Sequence, residues 1–408
     1  MTSRHAVRLL LALAVGASVT SCATASERLN AEASPTPVVS VTPSASSAQL
    51  SVVPAAGATD VFPDEPVTVT AVGGKIQSVV LSGPAGEVDG QLGQDGTSWT
   101  STDVLGTGTA YTLTATAVDR FGLAQTLTSA FTTLIPPEGA NVRARVSPLD
   151  GETVGVGMPI VLYLTAPVED RAAVERRLSV VSQPAVEGAW HWLNDEELHW
   201  RPKDLWPAGS QVTVNIPLNG VHAGEDLWGD EDRVISFFIA DHAVESIVDL
   251  TAKNMQVMQD GQLLRTLPIS AGKPGWETRN GIKVILSKET ERVMDAATVG
   301  IDPSDPEYYS VNVEFAMRMT LSGEFVHAAP WSEGSQGEAN VSHGCVGLST
   351  ADAAWLFDLT TRGDIVRVIG SPRALEVGNG YTDWNVDWPD WVAGGALASA
   401  SPVPSPTS

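Results

Sequence analysis

Cysteine is almost absent from this chain. Cys22 and Cys345 are the only two in 408 residues, which excludes a disulfide framework and a zinc site of the paired CxxC type. Basic charge is scarce too: 24 Lys and Arg stand against 48 Asp and Glu, for a net charge of −24. No basic stripe exists to displace counterions, so nucleic acid is excluded as a partner, as is an anionic lipid surface held by charge. Long apolar runs are missing as well. The stretch Leu9 to Val19 is too short to span a bilayer and stay there.

What stands at the N-terminus reads as an address. Arg4, His5 and Arg8 precede the apolar run, and Val19-Thr20-Ser21 places small residues directly before Cys22. That is the pattern of a bacterial lipoprotein signal, in which residues 1–21 are removed and Cys22 is acylated; the alternative is a plain secretory signal. The expected location is the cell envelope, on the outer face of the cytoplasmic membrane. Residues 22–48 are rich in Ala, Ser, Thr and Pro and cannot bury enough surface to offset their ordering entropy. They read as a tether reaching about 25–30 Å. The end of the chain, 395–408, reads as a disordered tail of similar composition.

The ~350 residues between are too many for one core. From 49 to 136 the pattern has period two: Val67, Val69 and Ala71 alternate with threonines, as do Tyr111, Leu113, Ala115 and Ala117. This predicts a small antiparallel sandwich. Residues 140–242 open with an echo of the first unit at an offset of about ninety residues, Pro148-x-x-Gly151 after Pro54-x-x-Gly57, which suits tandem immunoglobulin-sized modules. His191, His199 and His222 within it look isolated. The third unit, 245–370, is again mostly strand. It has a hairpin predicted around Asp260-Gly261 and one helix predicted after Ser349, with Asp352 completing the cap. A short piece, 371–394, carries Trp384, Trp388 and Trp391, expected to anchor it onto the third unit.

With Cys22 assigned to lipid, Cys345 has no disulfide partner, and a lone thiol in an exported protein needs a reason. It sits in Ser342-His343-Gly344-Cys345, just before the predicted helix, and His327 lies eighteen positions upstream. Cysteine attacks as a thiolate, and a nearby imidazole is the usual means of making one. Cys345 is thus a nucleophile candidate, His327 and His343 are base candidates, and Gly344 lets a carbonyl approach the N–H groups of 344 and 345 as an oxyanion site. Zinc held by the same three side chains, or a buried inert thiol, are the competing readings.

These residues carry a resemblance. Phe325-Val326-His327-Ala328-Ala329-Pro330-Trp331-Ser332 followed by Ser342-His343-Gly344-Cys345 resembles the YkuD family of L,D-transpeptidases, in the lipoprotein form of mycobacteria and related actinobacteria. Supporting matches are Met294-Asp295, Tyr309, Arg362-Gly363-Asp364-Ile365-Val366, and Asp383-Trp384-Asn385 with Trp388. The resemblance implies a mainly β protein: two immunoglobulin-like sandwiches, a β-rich catalytic domain with one or two helices, and a short C-terminal subdomain. It implies that Cys345 is acylated by a peptidoglycan stem peptide or a carbapenem. His327 would be the base, its ring held by a main-chain carbonyl, and His343, Gly344 and Cys345 would supply oxyanion N–H groups. Tyr309, Met294, Trp331 and Ser342 would shape the donor pocket, under a lid over roughly 290–332. The donor tetrapeptide would lose its terminal D-alanine and pass its third residue, meso-diaminopimelate, to the side-chain amine of a second stem. No metal or organic cofactor is implied, and a monomer is expected. Two positions depart from the family. Gly347 stands where an Asn is usual and bears on the donor site, and Ala328 replaces a Ser. Two other readings remain open: an L,D-carboxypeptidase using the same site, and a non-catalytic wall-binding lipoprotein.

Overall fold

The computed structural model describes residues 45–400. The signal, Cys22, most of the tether and the last eight residues lie outside the described residues.

Alternation of apolar and polar residues produces the first module. One sheet runs in the order Gln49–Val53, Thr68–Val72, Ser98–Ser101, Gly90–Leu92; the other in the order Gly86–Val88, Gly74–Gly83, Ala110–Asp119, Ala124–Thr132. Val67, Val69, Ala71, Leu113, Ala115 and Ala117 point between the sheets and form the core, while the intervening threonines face outward. Period two puts every second side chain on the same face, so this pattern can bury only one side of each strand.

The second module repeats the plan with a heavier core. Its sheets are Ala144–Ser147, Ile160–Leu164, Glu197–Pro202, Gly188–Trp192 and Thr153–Val154, Asp232–Ile239, Gln211–Pro217, Ser179–Gln183. Trp190, Trp192, Trp200 and Trp206 fill the space between them. A short helix, Arg171–Glu175, follows Asp170, whose carboxylate accepts the Ala173 N–H at 2.8 Å.

In the third unit the hairpin forms as the Asp260-Gly261 pair dictates, joining Asn254–Gln259 to Gln262–Pro268. Both turn residues have positive φ, 51° and 77°. That hairpin enters a five-stranded sheet with Val244–Asp249, Ile365–Ile369 and Gly281–Val284. A four-stranded sheet, Ser287–Asp295, Ser310–Arg318, Phe325–Ala328 and Val346–Leu348, carries the site. The helix Thr350–Leu359 starts where the cap predicts: Ser349 Oγ accepts the Asp352 N–H at 3.1 Å and donates to its carboxylate at 2.8 Å. The turn after this helix locks the catalytic unit to the second module. Gly155 and Gly157 donate N–H groups to the carbonyls of Arg362 and Gly363, at 2.7 and 2.9 Å, and the Arg362 guanidinium reaches Glu152 at 2.6 Å.

The C-terminal segment corrects two expectations. Its tryptophans bond the second module, and the segment also meets the third unit, beside Trp384, which stands near Ile282, Ile365 and Arg367, and through Asn385, which bonds Ile282. Trp391 is fully buried and donates its Nε1–H to Ala189 O at 2.9 Å; Trp384 donates to Gly157 O at 2.8 Å. The Arg201 guanidinium lies 4.7–5.3 Å from the rings of Trp384, Trp388 and Trp391. The physical reason is that the second module offers a cation and two carbonyl acceptors at this face, where indole N–H and π surface are both satisfied. Nor does the chain lose structure at 395: Ala396–Ala400 is helical, and Glu175 of the second module accepts the Ala396 N–H at 2.7 Å. The histidines of the second module are likewise not isolated. His191 stacks on Trp391 at 4.5 Å, and His199 bonds Asp383 at 2.7 Å. His222 packs on Trp228 and on Phe62 of the first module, 4.4 and 5.1 Å away.

Candidate active site

Two neighbouring parallel strands bring the reacting groups together. Phe325–Ala328 pairs with Val346–Leu348, opposing His327 to Gly347. This register places His327 beside the segment that has just passed through Cys345, although the two are eighteen residues apart. Both line one cavity of about 330 Å³, with Tyr309, Met294, Trp331 and Ser342 among its walls.

His327 is 5 % exposed, and its Nδ1 lies 2.7 Å from Ala328 O. A carbonyl only accepts, so Nδ1 carries the proton and Nε2 is left as an unprotonated base. Burial lowers the pKa of this ring, against the smaller pull of the carbonyl, and keeps it neutral. Cys345 is 8 % exposed. Burial pushes its thiol up to about 12, and the Sγ–H points at Gly323 O, 3.6 Å away. The expectation of a resting thiolate made by the neighbouring ring is thereby corrected. At rest the proton stays on sulfur, because a desolvated anion costs more than the Phe325 N–H and the Lys283 cation return.

The Ser342–Cys345 turn is tight. Ser342 Oγ donates to Cys345 O at 2.6 Å and accepts the Gly344 N–H at 3.1 Å; Thr278 Oγ1 donates to Gly344 O at 2.8 Å. Gly344 holds φ of +123°, outside the range of ordinary side chains. The Gly344 amide is therefore engaged by Ser342. Among the described residues the amides of His343 and Cys345 carry no hydrogen bond, which narrows the expected oxyanion donors to those two.

His343 lines the same cavity, with one ring nitrogen already engaged. Its Nε2 bonds Glu307 at 2.6 Å, and the ring packs between Tyr309 and Trp276, both 5.0 Å away by centroid. Lys273 also reaches Glu307 Oε2 at 2.6 Å, and these two partners lower the Glu307 carboxyl, Lys273 foremost. Lys273, Trp276 and Glu307 escaped sequence analysis because nothing local marks them. Met294 is buried against Cys345, Phe325 and Val313. Tyr309 is half-buried, its phenol raised to about 12 by burial and then by Cys345. Trp331 stands exposed at the rim, its ring 6.0 Å from that of His327.

Gly347 has a steric reason. A Cβ there would fall 2.8 Å from Ala329 Cβ, a contact that backbone-attached atoms cannot easily relieve. Its N–H and C=O are both paired with Ser270, at 2.7 and 3.1 Å.

Residues 244–368 match the YkuD family model, described as the L,D-transpeptidase catalytic domain, and residues 58–222 match a bacterial Ig domain. The chain is 38 % identical over 344 residues to L,D-transpeptidase 2 of Mycobacterium tuberculosis (strain CDC 1551 / Oshkosh), covering 84 % of this chain and 83 % of that one. The chain belongs to the L,D-transpeptidase family. L,D-transpeptidase 5 of Mycobacterium tuberculosis (strain H37Rv) is 36 % identical over 363 residues, with 87 % and 78 % covered. Among solved structures, an L,D-transpeptidase in complex with imipenem aligns with 37 % identity and a TM-score of 0.49, over 58 % of this chain and 100 % of that one. As an L,D-transpeptidase this protein is an acyltransferase, and the cavity walled by Cys345 and His327 lies within its family-matched domain.

Proposed function

We propose that this L,D-transpeptidase cross-links peptidoglycan stem peptides through a thioester on Cys345. The observation that carries this reading is the shared cavity, whose walls include a neutral thiol and a histidine whose only free nitrogen is basic. Sγ attacks the carbonyl carbon of the donor's third residue, diaminopimelate, and the thiol proton moves to His327 Nε2. Proton transfer accompanies attack, because neither partner is charged beforehand. The amides of His343 and Cys345 receive the oxyanion. The C–N bond to D-alanine then breaks, and His327 returns the proton to the leaving amine. In the second half the side-chain amine of another stem attacks the thioester, gives a proton through His327 to the departing sulfur, and leaves a new amide. Met294, Tyr309 and Trp331 provide apolar walls for the donor.

The two sandwich modules, with a lipid on Cys22 and the tether behind them, hold a monomeric enzyme off the outer face of the cytoplasmic membrane. This part rests on the N-terminal sequence alone.

The test uses the full chain with a disaccharide-tetrapeptide and an amine acceptor, read by mass spectrometry. Cross-linked dimer with release of D-alanine is expected, as is a covalent adduct with a carbapenem. Cys345→Ala should lose both. An adduct on the Ala variant overturns the assignment, and tripeptide alone in the presence of acceptor replaces transfer by hydrolysis.

A further inference from the structure

Behind the nucleophile lies a buried ion cluster that the mechanism above does not use. Lys283 is 1 % exposed, on the strand Gly281–Val284, and Glu324 is 3 % exposed, immediately before the strand that carries His327. Lys283 Nζ bonds Glu324 Oε2. Glu324 Oε1 accepts the main-chain N–H and the Nη1–H of Arg279, each at 3.0 Å. The Glu324 N–H donates to Thr320 Oγ1 at 2.9 Å, which closes the 320–324 turn. An ion pair so deep is expensive to desolvate and adds little net stability over an apolar pair, so its presence calls for another role.

Its position supplies one. The carbonyl that receives the Cys345 thiol belongs to Gly323, next to Glu324. A Cβ on Gly344 would lie 3.7 Å from both Cγ and Oε1 of Glu324, so the carboxylate forms the floor beneath the Gly344 peptide. On its buried side Cys345 accepts the Phe325 N–H and feels Glu324, which opposes its ionisation, and Lys283, which favours it, while Arg279 bonds the Glu324 oxygen that lies nearest Gly344. On the cavity side it faces Tyr309, His327 and His343. We infer that Lys283 and Glu324 are positioning residues for the nucleophile: the pair seats the 320–324 turn and the Gly344 peptide around Cys345, and its two opposed charges set how readily the thiol gives up its proton.

This inference rests on the reading of Cys345 as the acylated nucleophile, and its test separates the two. In the full chain, the rate of Cys345 alkylation by iodoacetamide, which follows the thiolate fraction, is measured at a fixed pH near neutrality on the Cys345 peptide by mass spectrometry. Lys283→Met removes the favourable cation and should slow alkylation by about three- to ten-fold; Glu324→Gln removes the opposing anion and should speed it by a similar factor. A scaffold role alone would move both variants in one direction or neither, and either outcome overturns the inference. Removing one partner of a buried pair is strongly destabilising, so the double variant Lys283→Met with Glu324→Gln serves as a second probe. It leaves neither charge unpaired, since Arg279 keeps Glu376, and its alkylation rate should return to within about two-fold of wild type because the two opposed effects cancel; a change as large as that of either single variant refutes the inference. Failure of the wild-type chain to form a carbapenem adduct would instead overturn the reading beneath it.

Discussion

His199 and His327 are nearly equally buried, at 1 % and 5 % exposure, yet they are held in opposite charge states. His199 sits where the C-terminal segment meets the second module, between two carboxylates: Asp383 at 2.7 Å on Nδ1 and Glu197 at 2.9 Å on Nε2. Burial alone would lower it, but Asp383 and then Glu197 outweigh that and raise it to about 9. His327 meets a single carbonyl, burial wins, and the ring stays neutral. Partners rather than depth decide the charge of a buried imidazole. The same side chain is therefore a charged clasp in one region and a free base in the other.

The largest break of this contrast is His327→Asn. It removes the base, so acyl-enzyme formation should slow by about 10²–10⁴-fold. Thermal stability should change little, and carbapenem acylation followed by intact mass checks both. His199→Gln should do the reverse. It leaves Asp383 as a buried anion without its cation, which costs about 3–5 kcal/mol, while the folded fraction acylates normally; thermal melting against acylation rate separates the two. The pH dependence has opposite signs at the two sites. His199 has a folded pKa above the unfolded value near 6.5, so its contribution is complete below about 6.5 and is lost as pH rises through about 9. His327 has a lowered folded pKa, so its contribution is present above about 6.5 and fades as pH falls below that. Melting curves from pH 5 to 10 should lose their alkaline decline in His199→Gln and keep it in His327→Asn.

How far the sequence shows these features follows from how local their causes are. The cap at Ser349 and the hairpin at Asp260-Gly261 involve residues within a few positions, and each stands where the spacing puts it. The threonine-spaced core of the first module is a period-two signal carried by single strands. Cys345 and His327 were legible because an unpaired thiol and a histidine-glycine turn narrow the chemistry before any fold is known. The clasp was not: His199 and Asp383 are 184 positions apart, and His191 and Trp391 are 200 apart. The tryptophans announced an anchor, but only the topology chose the second module to receive it. Lys283 and Glu324, 41 positions apart, left one faint trace, a lysine inside the apolar run Gly281-Ile282-Lys283-Val284-Ile285-Leu286.

A third histidine sharpens the comparison with the smallest expected effect. His343 has one carboxylate partner, Glu307, like one half of the clasp around His199, but that carboxylate is shared with Lys273 and open to solvent. Such exposed pairs are weak and salt-screened. Glu307 nevertheless joins the segment that follows the short helical turn Ala296–Val299 to the Ser342–Cys345 turn, whose Ser342, His343 and Cys345 line the cavity. Glu307→Gln should therefore leave melting almost unchanged and raise KM for the donor stem by about two- to five-fold, with kcat held within about two-fold. Because Glu307 is also paired with the Lys273 cation, raising salt should weaken donor binding in the wild-type chain and have little effect in the variant. A kcat loss without a KM change would instead assign Glu307 to the ring orientation of His343 rather than to closure over the donor.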